Sequence, residues 1–379
     1  MVVFFQRKIA SLYFVENYFV LYYFCIVIRK VTIISEDNMR KSLFIIFFLF
    51  AGIISAVTEN RVPLDIYAEG GDHHVQGIAF DREKGCMYFS FTTQFVKTDL
   101  NGNVLGTIDK IQGHLGAMVF NPEGRKVYAS LECKDDQIGA ELSTFAKGHS
   151  LFYIAIIDVD KVTSIGMDSE DNEAFQVVCI REAGKDYAAK VIVDGKTLEH
   201  RYGCSGIDGI TIAPKLGRSR GKNYLYVAYG IYGDTTRTDN DNQVLLRYRF
   251  GQLRKYARTV RFGTFSESGP AKPDKKIFIP TGNTTYGIQN MTYDSGSCCL
   301  FLAVYPGEKS HLPNYSTFTV DFRNGKIRGS HFKWGTTGIS PVGNGLWYIS
   351  ENGTLNGKQN SHAHLYRWTD IPEDPFERQ

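Results

Sequence analysis

His74-Val75-Gln76-Gly77-Ile78-Ala79-Phe80-Asp81 and His114-Leu115-Gly116-Ala117-Met118-Val119-Phe120-Asn121 are two copies of one phrase. Weaker copies follow at Gly206-Ile207-Asp208-Gly209-Ile210-Thr211-Ile212 and Gly287-Ile288-Gln289-Asn290-Met291-Thr292-Tyr293-Asp294, and the faintest is Thr337-Gly338-Ile339-Ser340. After a short turn, each copy is answered by a second apolar run: Met87–Ser90, Val127–Ser130, Leu225–Ala228, Leu300–Ala303 and Leu346–Ile349. Short apolar runs separated by turn residues read as strands. Strand units repeated at this spacing cannot bury their faces singly, and the solution is a ring of small sheets. The sequence therefore predicts an all-β fold, a β-propeller of five blades. Six blades is the alternative if the insertion Asp186–Arg201 builds a sheet of its own.

The fifth repeat ends without a fourth strand, while Val62–Tyr67 is a spare strand near the other end. The expectation is that this strand completes the fifth blade and closes the ring, which removes exposed sheet edges. In the third blade the fourth strand is placed at Ala257–Phe262.

The chain divides into three parts. Residues 39–56 read as a signal peptide, with Met39-Arg40-Lys41 as the basic start, Leu43–Ile54 as the apolar run and Ser55-Ala56 as the cleavage site. Residues 1–38 then read as an upstream extension with a mis-assigned start. Residues 57–379 form a single propeller domain, secreted or periplasmic, with no stable membrane span. With 43 basic and 40 acidic residues interspersed, the chain shows no basic stripe, so nucleic acid is not expected as a partner. Six cysteines beyond residue 57 (Cys86, Cys133, Cys179, Cys204, Cys298 and Cys299) have no zinc-site spacing and read mostly as small buried apolar residues.

Loop lengths point to one working face. Connections between first and second strands are mostly tight, as in Asn121-Pro122-Glu123-Gly124 and Gly343-Asn344. Connections between second and third strands are long and polar: Glu132–Ser150, Gly230–Gln243, Pro306–Ser316 and Glu351–His362. Alternating strand direction puts those loops beside the starts of the innermost strands, and long loops on a rigid scaffold are where function gathers. Four groups there suit proton transfer: His74 and His114 at equivalent repeat positions, Asp208 near the axis, and Glu132 at the head of the longest loop. Gln76, Lys134, Tyr232, Arg237, Tyr286, Gln289, Asn290, Trp334 and Glu351 are placed to hold a ligand on the same face. The acidic stretch Asp234–Asp241 lacks the mid-loop glycine and closing glutamate of a calcium loop. No metal ligands are assigned; the cofactor stays open, a structural or catalytic divalent cation being one option.

This repeat pattern resembles the broad superfamily of secreted bacterial β-propellers over nearly all of residues 62–370, in architecture rather than in any catalytic motif. Several five-bladed members are glycoside hydrolases and some larger ones are polysaccharide lyases. The resemblance implies an exported carbohydrate-active protein that binds an oligosaccharide or other polar small molecule and cleaves it by hydrolysis or β-elimination. Two alternatives stand beside it: a non-catalytic glycan- or protein-binding propeller, and a metal-dependent lactone or phosphoester hydrolase.

Overall fold

The structure, a computed structural model, describes residues 62–142, 149–171, 173–262, 264, 266–371 and 373–379. The extension 1–38, the signal peptide 39–56 and part of the loop Glu132–Ser150 lie outside the described residues. No helix among the described residues is long and apolar enough to cross a membrane.

Five sheets, antiparallel except for the parallel pairing of Ile108–Asp109 with Met167–Asp168, form a closed ring, a five-bladed β-propeller. From the axis outward, the first is built on Gly77–Asp81, Cys86–Phe91, Gln94–Asp99 and Val104–Asp109. The second is His114–Asn121, Lys126–Cys133, Leu151–Asp158 and Phe175–Cys179. The third is Cys204–Ala213, Tyr224–Ile231, Gln243–Tyr248 and Lys275–Ile279, and the fourth is Thr284–Asp294, Cys299–Pro306, Thr317–Asp321 and Lys326–Ser330. The fifth is Ile339–Gly343, Leu346–Leu355 and Lys358–Trp368, completed by Asp65–Glu69. Each innermost strand packs against that of the next blade, and the fifth packs against the first.

The inner strands are buried on both faces because a blade lies on either side. Gly77–Asp81 and Cys86–Phe91 are buried at every position. The apolar interior is accordingly a set of layers between adjacent blades, one joining Tyr88 and Phe95 to Val127 and Phe175, another joining Tyr128 and Ile154 to Val227 and Leu246. Near the axis the inner strands approach so closely that side chains do not fit between them. A Cβ at Gly77 would lie 2.8 Å from the Met118 nitrogen, and one at Gly209 would lie 2.6 Å from Ile288 Cγ2. At this position of the phrase the first and third copies therefore need glycine, while the second has Ala117 and the fourth Asn290.

Three local readings are corrected. Ala257–Phe262 is not the fourth strand of the third blade. Phe250–Tyr256 forms a short helix that buries Leu253, Arg258–Thr259 pairs on the outer edge of the second blade, and Val260 and Phe262 are buried in the layer between the first and second blades. The insertion Asp186–Arg201 makes no sixth blade; it forms the two-stranded hairpin Lys190–Val193 with Lys196–Glu199. Glu351–His362 is not a loop. Its residues continue the second and third strands of the fifth blade around Asn356-Gly357, both at positive φ. Asn-Gly is the favoured pair for a tight two-residue hairpin, so the signal was present in the sequence.

Closure by the first strand holds, shifted to Asp65–Glu69, and the C-terminal strand Phe376–Arg378 pairs with the same partner further along. Ile66 and Ala68 point inward and are buried, and the Tyr348 hydroxyl donates to the Pro63 carbonyl at 2.8 Å. Ile66→Ala should lower the unfolding free energy by ~2–4 kcal/mol in urea denaturation. Leu64→Ala, at a position 60% exposed, should change it by less than ~0.5 kcal/mol. Equal effects would show that the strand is not part of the cooperative fold.

Candidate functional site

His114 and Glu132 face each other directly across the first two strands of the second blade. Asp208 reaches the same point from the third blade. One ligand-capable atom from each of the three lies within 4.8 Å of the others. Irregularities in the ladder make this possible. The pairing register shifts between Leu115 and Met118, between Ile207 and Ile210, and between Ile288 and Asn290. Bulges of this kind re-aim single side chains, and the residues at the shifts are Gly116, Asp208 and Gln289. Gly116 leaves room: a Cβ there would overlap Ser130 Oγ and lie 3.7 Å from Asp208 Oδ1.

Glu132 is buried and crosses to the next blade, where its Oε1 accepts the Ile207 N–H at 2.7 Å. Gly206 precedes that N–H at φ 142°, and a Cβ there would overlap Glu132 Oε1. The other carboxylate oxygen pairs with Lys134 at 3.2 Å, and Lys134 also pairs with Asp136 at 3.3 Å. Gln289 donates to Asp208 Oδ2 at 3.3 Å and to the Tyr286 carbonyl at 3.1 Å.

These contacts set the protonation of the cluster. Burial, then the Glu132 charge, pushes the Asp208 carboxyl well above the usual carboxylate range, with Lys134 and Gln289 opposing. Burial also raises Glu132, again opposed by Lys134. Burial works against the charge of Lys134, but Glu132 and Asp136 outweigh it and hold it above its ordinary value. His114 is pulled down to about 3, by burial first and by Lys134 second. A carboxyl pushed up therefore lies beside a histidine pulled down, the pattern of opposed shifts that marks acid–base sites.

Beside the cluster lies a cleft of about 590 Å³ lined by Leu198, Glu199, His200, Tyr232, Asp234, Arg237, Thr285, Tyr286 and Glu308. The insertion hairpin forms one wall. His200, which the sequence analysis passed over, has its ring 4.3 Å from Tyr187 and 5.3 Å from Tyr232. Its signal was its place at the end of the insertion. Tyr286 is 51% exposed and meets Tyr305 edge-on at 6.4 Å. Its φ of 63° is a left-handed conformation that a bulky side chain rarely adopts, and such strain collects at functional positions.

The sequence-derived residues fall into two groups. His114, Glu132, Asp208, Lys134, Gln289, Tyr232 and Tyr286 come together around the cluster and the cleft. His74 is exposed and accepts from the Gln76 amide at 2.7 Å. Asn290 is a brace whose amide donates to the Gln76 and Thr336 carbonyls at 2.9 and 2.8 Å, tying three blades together. Arg237 lines the cleft, but its guanidinium is spent on Asp239 and on the Glu199 and His200 carbonyls, so it anchors the insertion. Trp334 packs against the layer between the fourth and fifth blades, under Lys333. Glu351 lies apart from the cluster, bound by the Tyr366 hydroxyl at 2.6 Å and Arg378 at 3.3 Å.

The spacing of His114, Glu132 and Asp208 is short enough for one cation. However, both Glu132 oxygens are engaged, and Lys134 already supplies a positive charge there. The Glu132–Asp208 approach is also shorter than the roughly 6.5–9.5 Å that admits a water between two catalytic carboxyls.

No known family matches the chain, and no curated protein matches it. Solved structures with a similar course include a luciferin-regenerating enzyme (11% identity, 82% of this chain and 98% of that chain, TM-score 0.36). A Kuenenia stuttgartiensis hydrazine synthase (12%, 74% and 73%, TM-score 0.37) and a glucose dehydrogenase (10%, 79% and 99%, TM-score 0.36) are similar in the same degree.

The raised Asp208 carboxyl has a consequence for stability. Its folded state holds a proton that the unfolded chain releases above about pH 4, so ionisation disfavours the folded state as pH rises from there towards the raised value. Asp208→Asn should melt at least ~2 °C above the parent at pH 8. The two curves should converge at pH 3, measured by circular dichroism. A difference that grows on acidification would contradict the assigned protonation.

Proposed function

We propose that the chain is an exported, carbohydrate-active propeller that binds a neutral oligosaccharide in the cleft and hydrolyses it at the adjacent cluster. The observation that carries this reading is the meeting of two carboxyls and an imidazole within 4.8 Å of one another beside an aromatic-walled cleft, with the Asp208 carboxyl pushed up and the His114 imidazole pulled down by burial. Asp208, whose carboxyl is pushed up and which is more exposed than Glu132, delivers a proton to the leaving oxygen as the glycosidic C–O bond breaks. A water oxygen forms the new bond to the anomeric carbon, and the proton that water loses passes to the His114 imidazole. Glu132 and Lys134 are positioning residues that set the charge around both. Tyr286 and Tyr232 offer faces on which a sugar ring stacks.

The charge of the cleft favours a neutral ligand and hydrolysis over elimination. Glu199, Asp234 and Glu308 line it, while Arg237 and Lys309 are consumed by protein partners and Lys134 is paired with Glu132 and Asp136. β-Elimination from an acidic sugar would need a cation to neutralise the substrate carboxylate. The export reading is supported by the apolar run after Met39.

Purified protein should be screened against neutral and acidic oligosaccharides. The expected result is turnover of a neutral glycan, a rate that falls as pH rises through the Asp208 titration, and a drop of 10²-fold or more in kcat for Asp208→Asn with binding retained. His114→Ala should lower the rate as well. Saturable binding without product would make the protein a binding module, and neither binding nor turnover on any glycan would remove the carbohydrate reading.

A further inference from the structure

Away from the His114–Glu132–Asp208 cluster, a second convergence of side chains lies where the ring is sealed. His362-Ala363-His364 places two imidazoles on one face of the third strand of the fifth blade, because alternate residues share a face. Asp65, on the first strand of the fold, is the direct cross-strand partner of His364, and Tyr67 is the partner of His362. One ligand-capable atom from each of Asp65, His362 and His364 lies within 4.8 Å of the others.

The detail of the contacts is that of a ligand set. The Nδ1 atoms of both histidines face the Asp65 carboxylate, His362 at 3.1 Å and His364 at 3.2 Å. Tetrahedral zinc with bonds of about 2.0–2.2 Å holds its ligand atoms roughly 3.4 Å apart. The two rings are nearly parallel, 10° between planes and 5.4 Å between centroids. Nε2 of His364 points towards Glu351 Oε1 at 3.8 Å, and Glu351 is itself fixed by the Tyr366 hydroxyl. A carboxylate behind the distal nitrogen of a histidine is the usual support of a metal-bound imidazole. Asp65 and His362 are 40% and 43% exposed at the side chain, so a cation has access and water can complete the coordination.

We propose that Asp65, His362 and His364 bind a zinc ion through Asp65 oxygen and the two Nδ1 atoms, with Glu351 supporting His364, and that the ion latches the first strand to the last blade. Imidazole with carboxylate suits zinc and is poor for calcium or magnesium, which take oxygen ligands. Arg378 is the competing cation: its Nη2 lies 2.9 and 2.8 Å from the His364 ring nitrogens while its Nη1 holds Glu351. On zinc binding this half-exposed side chain withdraws from the ring.

The site does not depend on the function of the His114–Glu132–Asp208 cluster, and zinc alone tests it. Titration of metal-free full-length protein with Zn²⁺ should show one equivalent bound at micromolar affinity or better by calorimetry. The melting temperature should rise with zinc concentration, and the amides of Asp65–Glu69 should exchange more slowly. Magnesium and calcium should do none of this. His362→Ala and His364→Ala should each weaken binding at least 10-fold, and Glu351→Gln should weaken it about 10–100-fold. Arg378→Ala should strengthen it. Asp208→Asn and His114→Ala should leave it unchanged, which separates this site from the His114–Glu132–Asp208 cluster. Absence of zinc binding by the parent protein, or binding unaltered in folded His362→Ala, overturns the proposal.

Discussion

Backbone contact between neighbouring innermost strands is the constraint from which the rest of this protein follows. The innermost strands approach one another closely, and at Gly77 and Gly209 the neighbouring blade leaves no room for a Cβ. The short distance between blades lets Glu132 of the second blade cap the Ile207 N–H of the third. It also lets Asn290 of the fourth blade donate to carbonyls of the first and to the segment leading into the fifth. The same crowding desolvates His114, Glu132 and Asp208 and perturbs their ionisation.

At the His114–Glu132–Asp208 cluster, stability and chemistry pull in opposite directions. Bringing Asp208 close to Glu132 in a buried setting costs free energy, which Lys134 only partly offsets. A protein selected for stability alone would gain by replacing such a group with a neutral one. A charged cluster kept at that cost, beside a cleft with a strained, exposed Tyr286, has the character of a site that acts on a ligand.

The opposite problem arises at the seam, where the last blade depends on a strand from the other end of the domain. Apolar packing by Ile66 and Ala68 and the ladder to Lys358–Trp368 close the ring on the inner side. On the outer side the closure is polar, through Asp65, His362, His364, Glu351 and Arg378. Ion pairs of this exposure contribute little stability by themselves, so a bound cation would matter most at this edge.

The fold was legible from the repeated phrase because a blade is a local object, with strand, turn and strand within a few dozen residues. His114 and Glu132 were legible for the same reason: they begin and end adjoining strands of one hairpin. The closing strand was legible too, as an unpaired segment facing an unfinished repeat. By contrast, the fourth strand of the third blade was misplaced because Val260 and Phe262 look like a strand but pack into another blade's layer. Arg237 looks like a ligand-binding cation in the sequence, and burial against Asp239 turns it into an anchor. The meeting of Asp208 with Glu132, and of Asp65 with His364, joins residues 76 and 299 positions apart in the chain. Sequence by itself determined the ring and the face on which polar groups gather, since both follow from local periodicity and strand direction. Tertiary structure decided which of those groups touch, because that depends on bulges, on inter-blade distances of a few ångströms and on how the two ends of the domain come together.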